Sequence, residues 1–153
     1  MQFGDYNIKN YKGTRGMEGP GFTGNLYRGS IKVGPIADWG DGGPAYLQRG
    51  SELNREEEDM LAQYVKNLPP EPWSFGDGSP LVVSVDFFLG SLGEHTFNEK
   101  KLRNKCKKNT CFITSDCSEG EYFVLSLKFT PEVASSLRAN HGGKLKEIIN
   151  ERY

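Results

Sequence analysis

Along the first fifty residues apolar and polar positions alternate, and glycine keeps interrupting them. Tyr6, Ile8 and Tyr11 mark one strand, and Phe22 with Asn25-Leu26-Tyr27-Arg28 a second. Arg28-Gly29-Ser30 turns the chain into Ile31-Lys32-Val33 and Ile36, a third strand, and Ala45–Gln48 follows a Gly-Asp-Gly-Gly turn as a fourth. Twelve of the nineteen glycines lie in this stretch, and no helical period runs through it. The pattern predicts an antiparallel β-meander.

The period then changes from that of strands to that of helices. Asn54 stands as an N-cap with Glu57 three residues on, as in a capping box, and Glu56, Glu57, Glu58 and Asp59 put negative charge at the positive helix end. Leu61, Tyr64, Val65 and Leu68 form the buried stripe until Pro69 and Pro70 stop the helix. The connection after it carries Trp73 and Phe75, which are expected to anchor it on the core. "LVVSV" at 81–85 reads as a strand or as the start of a helix; Ser84 as a cap, followed by Val85, Phe88, Leu89 and Leu92, favours helix. Gly90 and Gly93, each costing about 1 kcal/mol relative to Ala, predict a break or bend before the helix resumes over 97–107. "TCFIT" and "EYFVLSLKF", joined by "SDCSEG", read as a hairpin. Thr130-Pro131 opens a last helix that Gly142-Gly143 closes, and Leu145, Ile148 and Ile149 fit a short terminal helix or a strand.

This order of elements predicts the α+β class: an N-terminal meander, then helices, a β-hairpin and a C-terminal helix. A chain of 153 residues is expected to form one domain, 1–153, around one hydrophobic core. No run of eighteen apolar residues occurs, and MQFGDYNIKN lacks the basic and apolar regions of a secretory leader. Three clustered cysteines, odd in number, make a poor disulfide framework. The expectation is a cytoplasmic protein with no membrane partner.

Charge changes the picture more than composition does. The formal net charge is −1, yet residues 81–153 hold 11 Lys/Arg against 9 Asp/Glu, and most of the excess sits in "EKKLRNKCKK" at 99–108. On a helix over 97–107, Lys101, Lys105 and Lys108 share one stripe and Lys100, Arg103 and Lys107 the adjacent one, with Leu102 and Cys106 facing the core. Six cations on one outer face could neutralise several phosphates or dock an acidic surface. The aromatic residues that single-strand binders stack on bases are not interleaved with this segment.

Other candidate chemistry is weaker. "GPGFTG" at 19–24 fits G-x-G-x-x-G, but residues 25–33 alternate like a strand, whereas a dinucleotide site needs a helix N-terminus there. A kinase loop does lie between strands, yet H-R-D and D-F-G are missing. Cys106, Cys111 and Cys117 are separated by four and five residues, a poor match to structural zinc spacing, and Cys106 and Cys111 are expected to be small buried hydrophobes. "LGSLG" around Ser91 misses the first glycine of a nucleophile elbow, His95 and His141 fall in no catalytic signature, and Asp38, Asp41, Asp77 and Asp86 are scattered. No catalytic residue, cofactor or metal is therefore expected.

Over "RGMEGPGF…NLYRGSIKVG…ADWGDGG" at 15–43, and over "KLRNKCKKNTCFITSD…GEYFVLSLKFTPEVASSLRANHGGKLKEIINERY", the chain resembles small uncharacterised proteins of phages, plasmids and integrative elements. The resemblance covers most of the chain but rests on turns and core positions, and carries no catalytic residue with it. It implies an anti-defence context: a non-enzymatic inhibitor that binds a host protein or ribonucleoprotein complex, such as a CRISPR or restriction nuclease, in the bacterial cytoplasm. A net charge of −1 argues against DNA mimicry. Two other readings stand beside it: a nucleic-acid-binding accessory protein using Lys100, Lys101, Arg103, Lys105, Lys107 and Lys108, and a small enzyme acting on a nucleotide signal.

Overall fold

The structure is a computed structural model and describes residues 1–72 and 79–153; the connection carrying Trp73 and Phe75 lies outside them. The α+β architecture expected from the pattern is present. The chain gathers into two compact units, Met1–Phe97 and Asn98–Tyr153, each with its own antiparallel sheet. Among the described residues, buried apolar side chains form one cluster in the first unit and two in the second.

The first unit holds β1 (Tyr6–Arg15), β2 (Pro20–Arg28), β3 (Ile31–Asp38) and the short β4 (Tyr46–Leu47), paired in chain order. Tyr6 faces Arg28 and Arg15 faces Pro20 across the first hairpin, and the register slips between Lys9 and Lys12. Asn10 occupies that bulge at φ 55°, a left-handed conformation that Asn tolerates better than most residues. Tyr6, Ile8, Phe22, Leu26, Val33 and Ile36 supply the sheet's share of the core, as alternation requires. Leu61 and Val65 of α1 (Arg55–Lys66) and Phe88, Leu89 and Leu92 of α2 (Val85–Cys106) complete it. Phe88 is the hub: the rings of Phe3, Tyr6 and Tyr64 meet it edge-on at 5.6, 5.7 and 5.8 Å.

Two local expectations change for physical reasons. Asn54 Oδ1 does cap α1 by accepting from the Glu57 backbone N–H at 3.3 Å, but the Glu57 side chain does not return to the cap. It is buried and takes two hydrogen bonds from Arg28 of β2, at 2.7 and 2.8 Å. Those bonds hold the Glu57 carboxyl below its usual range and raise Arg28. Helix α2 also continues through Gly90 and Gly93 where a break was expected. At Gly93 the glycine permits contact: a Cβ there would lie 2.2 Å from the Phe22 ring.

The "GPGFTG" stretch enters β2, and its neighbours close a tight corner. The backbone N–H groups of Glu18 and Gly19 both donate to the Gly40 carbonyl, at 2.9 and 3.0 Å, so they are not free to cradle a phosphate. A Cβ on Gly21 would lie 2.3 Å from the Asp38 carbonyl oxygen. Close backbone approach accounts for this glycine.

In the second unit β5 (Thr110–Thr114) lies between β6 (Phe123–Leu125) and β7 (Leu145–Ile148). The hairpin partner is shorter than its apolar run suggests, because Leu127 N–H turns back to the Leu125 carbonyl at 2.7 Å. Thr110, fully buried, donates its hydroxyl to the Leu127 carbonyl at 2.9 Å and secures that turn. Residues 145–148 are strand because β5 offers them a free edge. Helix α3 (Pro131–His141) starts where expected, with Thr130 Oγ1 accepting from Val133 N–H, and packs Ala134 and Leu137 against Phe112 and Ile148.

Two measurements check these assignments. Gly90→Ala meets open space and should raise the melting temperature through a gain of about 1 kcal/mol, whereas Gly93→Ala should lower it; equal effects would refute the contact with Phe22. Because the folded pKa of Glu57 is depressed, its contribution is present above the unfolded value and is lost as pH falls through the folded one. The melting temperature should therefore drop from about pH 5 to about pH 3, and drop less in Glu57→Gln; parallel curves would remove Glu57 as a cause.

Candidate functional site

The basic segment lies in the second unit, on the last turns of α2 and just beyond them. Helical spacing turns Leu102 and Cys106 inward, where Cys106 packs with Cys111 and Ile149. The cations then fall on both flanks of that buried stripe. Lys101 and Lys105 line a groove of about 850 Å³ that also contains Tyr122 and Ile113. Arg103 and Lys107 line a smaller cleft of about 420 Å³. Lys100 and Lys108 are exposed. The single outer face expected from the sequence is thus divided, and Lys107 and Lys108 lie beyond the last helical residue, Cys106.

The helix ends there because other groups take over its carbonyls. Lys108 N–H and Asn109 N–H both reach the Lys105 carbonyl, at 3.2 and 3.1 Å. Buried Asn150 closes the end: its amide donates to the carbonyls of Cys106 and Asn109, at 2.9 and 2.8 Å, and accepts from Cys111 N–H at 2.7 Å. One side chain thereby ties the exit from α2 to the entry of β5.

Tertiary structure also supplies the aromatic residues that the segment lacks. The Arg103 guanidinium lies over the Tyr153 ring, 4.8 Å from its centroid, and the Lys105 ammonium lies 5.5 Å from that of Tyr122. Tyr153 donates its hydroxyl to Glu99 Oε2 at 2.8 Å. Burial, and then this bond to a carboxylate, push the Tyr153 phenol up to about 12. Phe129 joins Arg103, Lys107 and Lys128 along the smaller cleft. No sequence spacing reports these meetings, since Tyr122, Phe129 and Tyr153 come from three different connections.

The two concavities differ in charge. In the larger groove Glu99, Glu119 and Glu121 stand among Lys101, Lys105 and Lys146. Arg152 there is held by both carboxylate oxygens of Glu147, which lowers the Glu147 pKa. The smaller cleft has three cationic side chains and, among the described residues, no Asp or Glu side chain in its lining. Lys107 donates to Asn104 Oδ1 at 3.1 Å. Among the described residues none of Lys101, Arg103, Lys105, Lys107 and Lys108 is ion-paired with a carboxylate.

The remaining candidates have structural roles or stay dispersed. Cys106 and Cys111 are buried neighbours, and burial followed by the contact with Cys111 pushes the Cys106 thiol up to about 12. Cys117 is half-buried, with Thr114 N–H 3.5 Å from its sulfur. Among the described residues no three His, Cys, Asp or Glu side chains gather to hold a metal ion. His95 rests on Phe3 and His141 on Phe112, at 5.1 and 5.2 Å between ring centres. Asp38 and Asp41 accept from the backbone of Gly40 and Gly43, Asp86 sits in the first turn of α2, and Asp77 lies outside the described residues. Ser91 falls inside α2, not at a strand-to-helix elbow.

Among the described residues no helix is long and apolar enough to cross a membrane. Compared with protein-family models, curated proteins and solved structures, the chain matches none.

The Asn150 arrangement is open to a direct check. Asn150→Ala removes the partner of three backbone groups, two buried and one part-buried, at about 1–3 kcal/mol for each group that water cannot reach. It should unfold the second unit at a markedly lower denaturant concentration and release the protection of the Cys111 amide against hydrogen exchange. Retained protection would refute the assignment.

Proposed function

We propose that this protein acts by binding rather than by catalysis, and that it engages a polyanion through the basic end of α2. The observation that carries the reading is the set of cations that have no carboxylate partner among the described residues: Lys101, Arg103, Lys105, Lys107 and Lys108, with Lys100 beside them. Exposed like charges crowded into one segment repel one another, and a phosphate backbone relieves that repulsion while releasing its own counterions. The resemblance to proteins of mobile elements supports a context for such binding. In a bacterial defence nuclease complex the protein surfaces that hold nucleic acid are themselves basic, so the complementary anion is the nucleic acid. The reading is therefore a non-enzymatic inhibitor or accessory protein that binds a nucleoprotein partner on its nucleic-acid side.

Fluorescence anisotropy with labelled DNA and RNA tests it. The full chain should bind at low salt, and affinity should fall at least about tenfold between about 50 and about 200 mM salt. Replacing Lys100, Lys101, Arg103, Lys105, Lys107 and Lys108 with Gln should abolish binding and leave the melting temperature within about 2 °C of wild type. Absence of binding at low salt, or undiminished binding by the variant, would overturn the proposal.

A further inference from the structure

We propose that the cleft lined by Arg103, Lys107, Lys128, Phe129 and Tyr153 seats one nucleotide of a single-stranded nucleic acid. Lys107 and Lys128 take the phosphate, and the base rests on Phe129 beside the Arg103–Tyr153 stack. This deepens the reading of the basic end as a polyanion-binding surface and depends on it, because it says which polyanion is bound and where.

The helix dipole explains only part of the charge. Arg103 and Lys105 belong to the last turn of α2, where cations complement the carbonyl end of the helix. Lys128 and Phe129 have no such reason to be there, since they come from the connection between β6 and α3. Tyr153 follows β7 and is the third element to reach the same cleft. Three separate segments thus bring cations and rings together where, among the described residues, no Asp or Glu side chain lines the wall.

The chemistry of the lining narrows the ligand. Asn150 also borders the cleft, but both its amide N–H groups are taken by the carbonyls of Cys106 and Asn109 and its oxygen already accepts from Cys111, so it offers a base no free donor. Recognition falls to charge and stacking, the combination that tolerates any base. Arg103 is stacked on a ring whose hydroxyl is tied to Glu99, which fixes the orientation of the platform. Phe129 is half-buried against the cluster of Phe112 and Leu137, so it is supported from behind. A cleft of about 420 Å³ lies within the size range of about 300–1,000 Å³ for small-ligand pockets. A duplex keeps its bases stacked inside and would leave both rings unused, and an acidic peptide would use the cations alone.

The experiment uses the full chain and a labelled oligothymidine twelve-mer, with a duplex of equal length, thymidine monophosphate and polyglutamate as comparison ligands. The single strand should bind more tightly than the other three. Phe129→Leu should weaken single-strand binding at least about fivefold and leave duplex binding unchanged. Lys128→Gln, at an exposed site where folding is not in question, should weaken the strand and reduce the salt slope by about one. Equal loss for strand and duplex, or no loss in either variant, overturns the cleft. Equal binding by the free monophosphate or by polyglutamate overturns the single strand as its ligand. If Phe129→Leu and Lys128→Gln are silent while Lys100, Lys101, Lys105 and Lys108 changed together to Gln abolish binding, the basic end survives and the cleft does not. If no nucleic acid binds at all, both fall.

Discussion

The second unit depends on the amide of Asn150. A helix end leaves carbonyls without partners, and a strand that begins four residues later leaves an N–H to satisfy in the same buried space. Asn150 answers both: it donates to Cys106 and Asn109 and accepts from Cys111. No apolar side chain could stand there without stranding those groups, and a carboxylate could accept but not donate. Because α2 stops at this point, Lys107 and Lys108 leave the helix, and the cations of 99–108 spread around its end instead of forming one outer face.

Charge is handled differently in different parts of the chain. Arg28 is matched to Glu57 and Arg152 to Glu147, each through two hydrogen bonds to one carboxylate, and in both pairs the carboxyl is held below its usual range. These pairs fasten a strand to a helix in the first unit and a strand to the final turn in the second. In the basic segment Lys101, Arg103, Lys105, Lys107 and Lys108 have, among the described residues, no such matching. Its arginine is placed over a ring instead, and its lysines face the solvent or a groove. A surface left in this state keeps its electrostatic potential available to a partner, which is the physical basis for reading it as a binding surface.

Two groups are driven well above their usual range by their local surroundings. Cys106 is raised because it is buried beside Cys111 under Ile149, and Tyr153 because it is partly buried and bonded to Glu99. The two histidines lie against phenylalanine rings, and the aspartates named from the sequence that fall among the described residues serve turns or a helix start.

Local order was legible in the sequence because it is periodic. Alternation predicted the meander, Asn54 and Thr130 marked helix starts, and Leu102 and Cys106 were rightly turned inward. What was not legible turned on distant partners. Gly90 and Gly93 look alike as helix breakers, and only the Phe22 ring, brought near by the fold, gives one of them a reason. Glu57 looks like half of a capping box until Arg28 arrives from β2 with a better pair of donors. The strand at 145–148 needed an open edge on β5, and the aromatic partners of the basic segment needed Tyr122, Phe129 and Tyr153 to converge from separate loops. The sequence by itself determined the class of fold, the N-terminal meander, the helix starts at Asn54 and Thr130 and the presence of a concentrated positive charge, since each depends on neighbours a few residues away. Tertiary structure alone decided how that charge is divided and which rings stand beside it, because those are contacts between residues that share no local period.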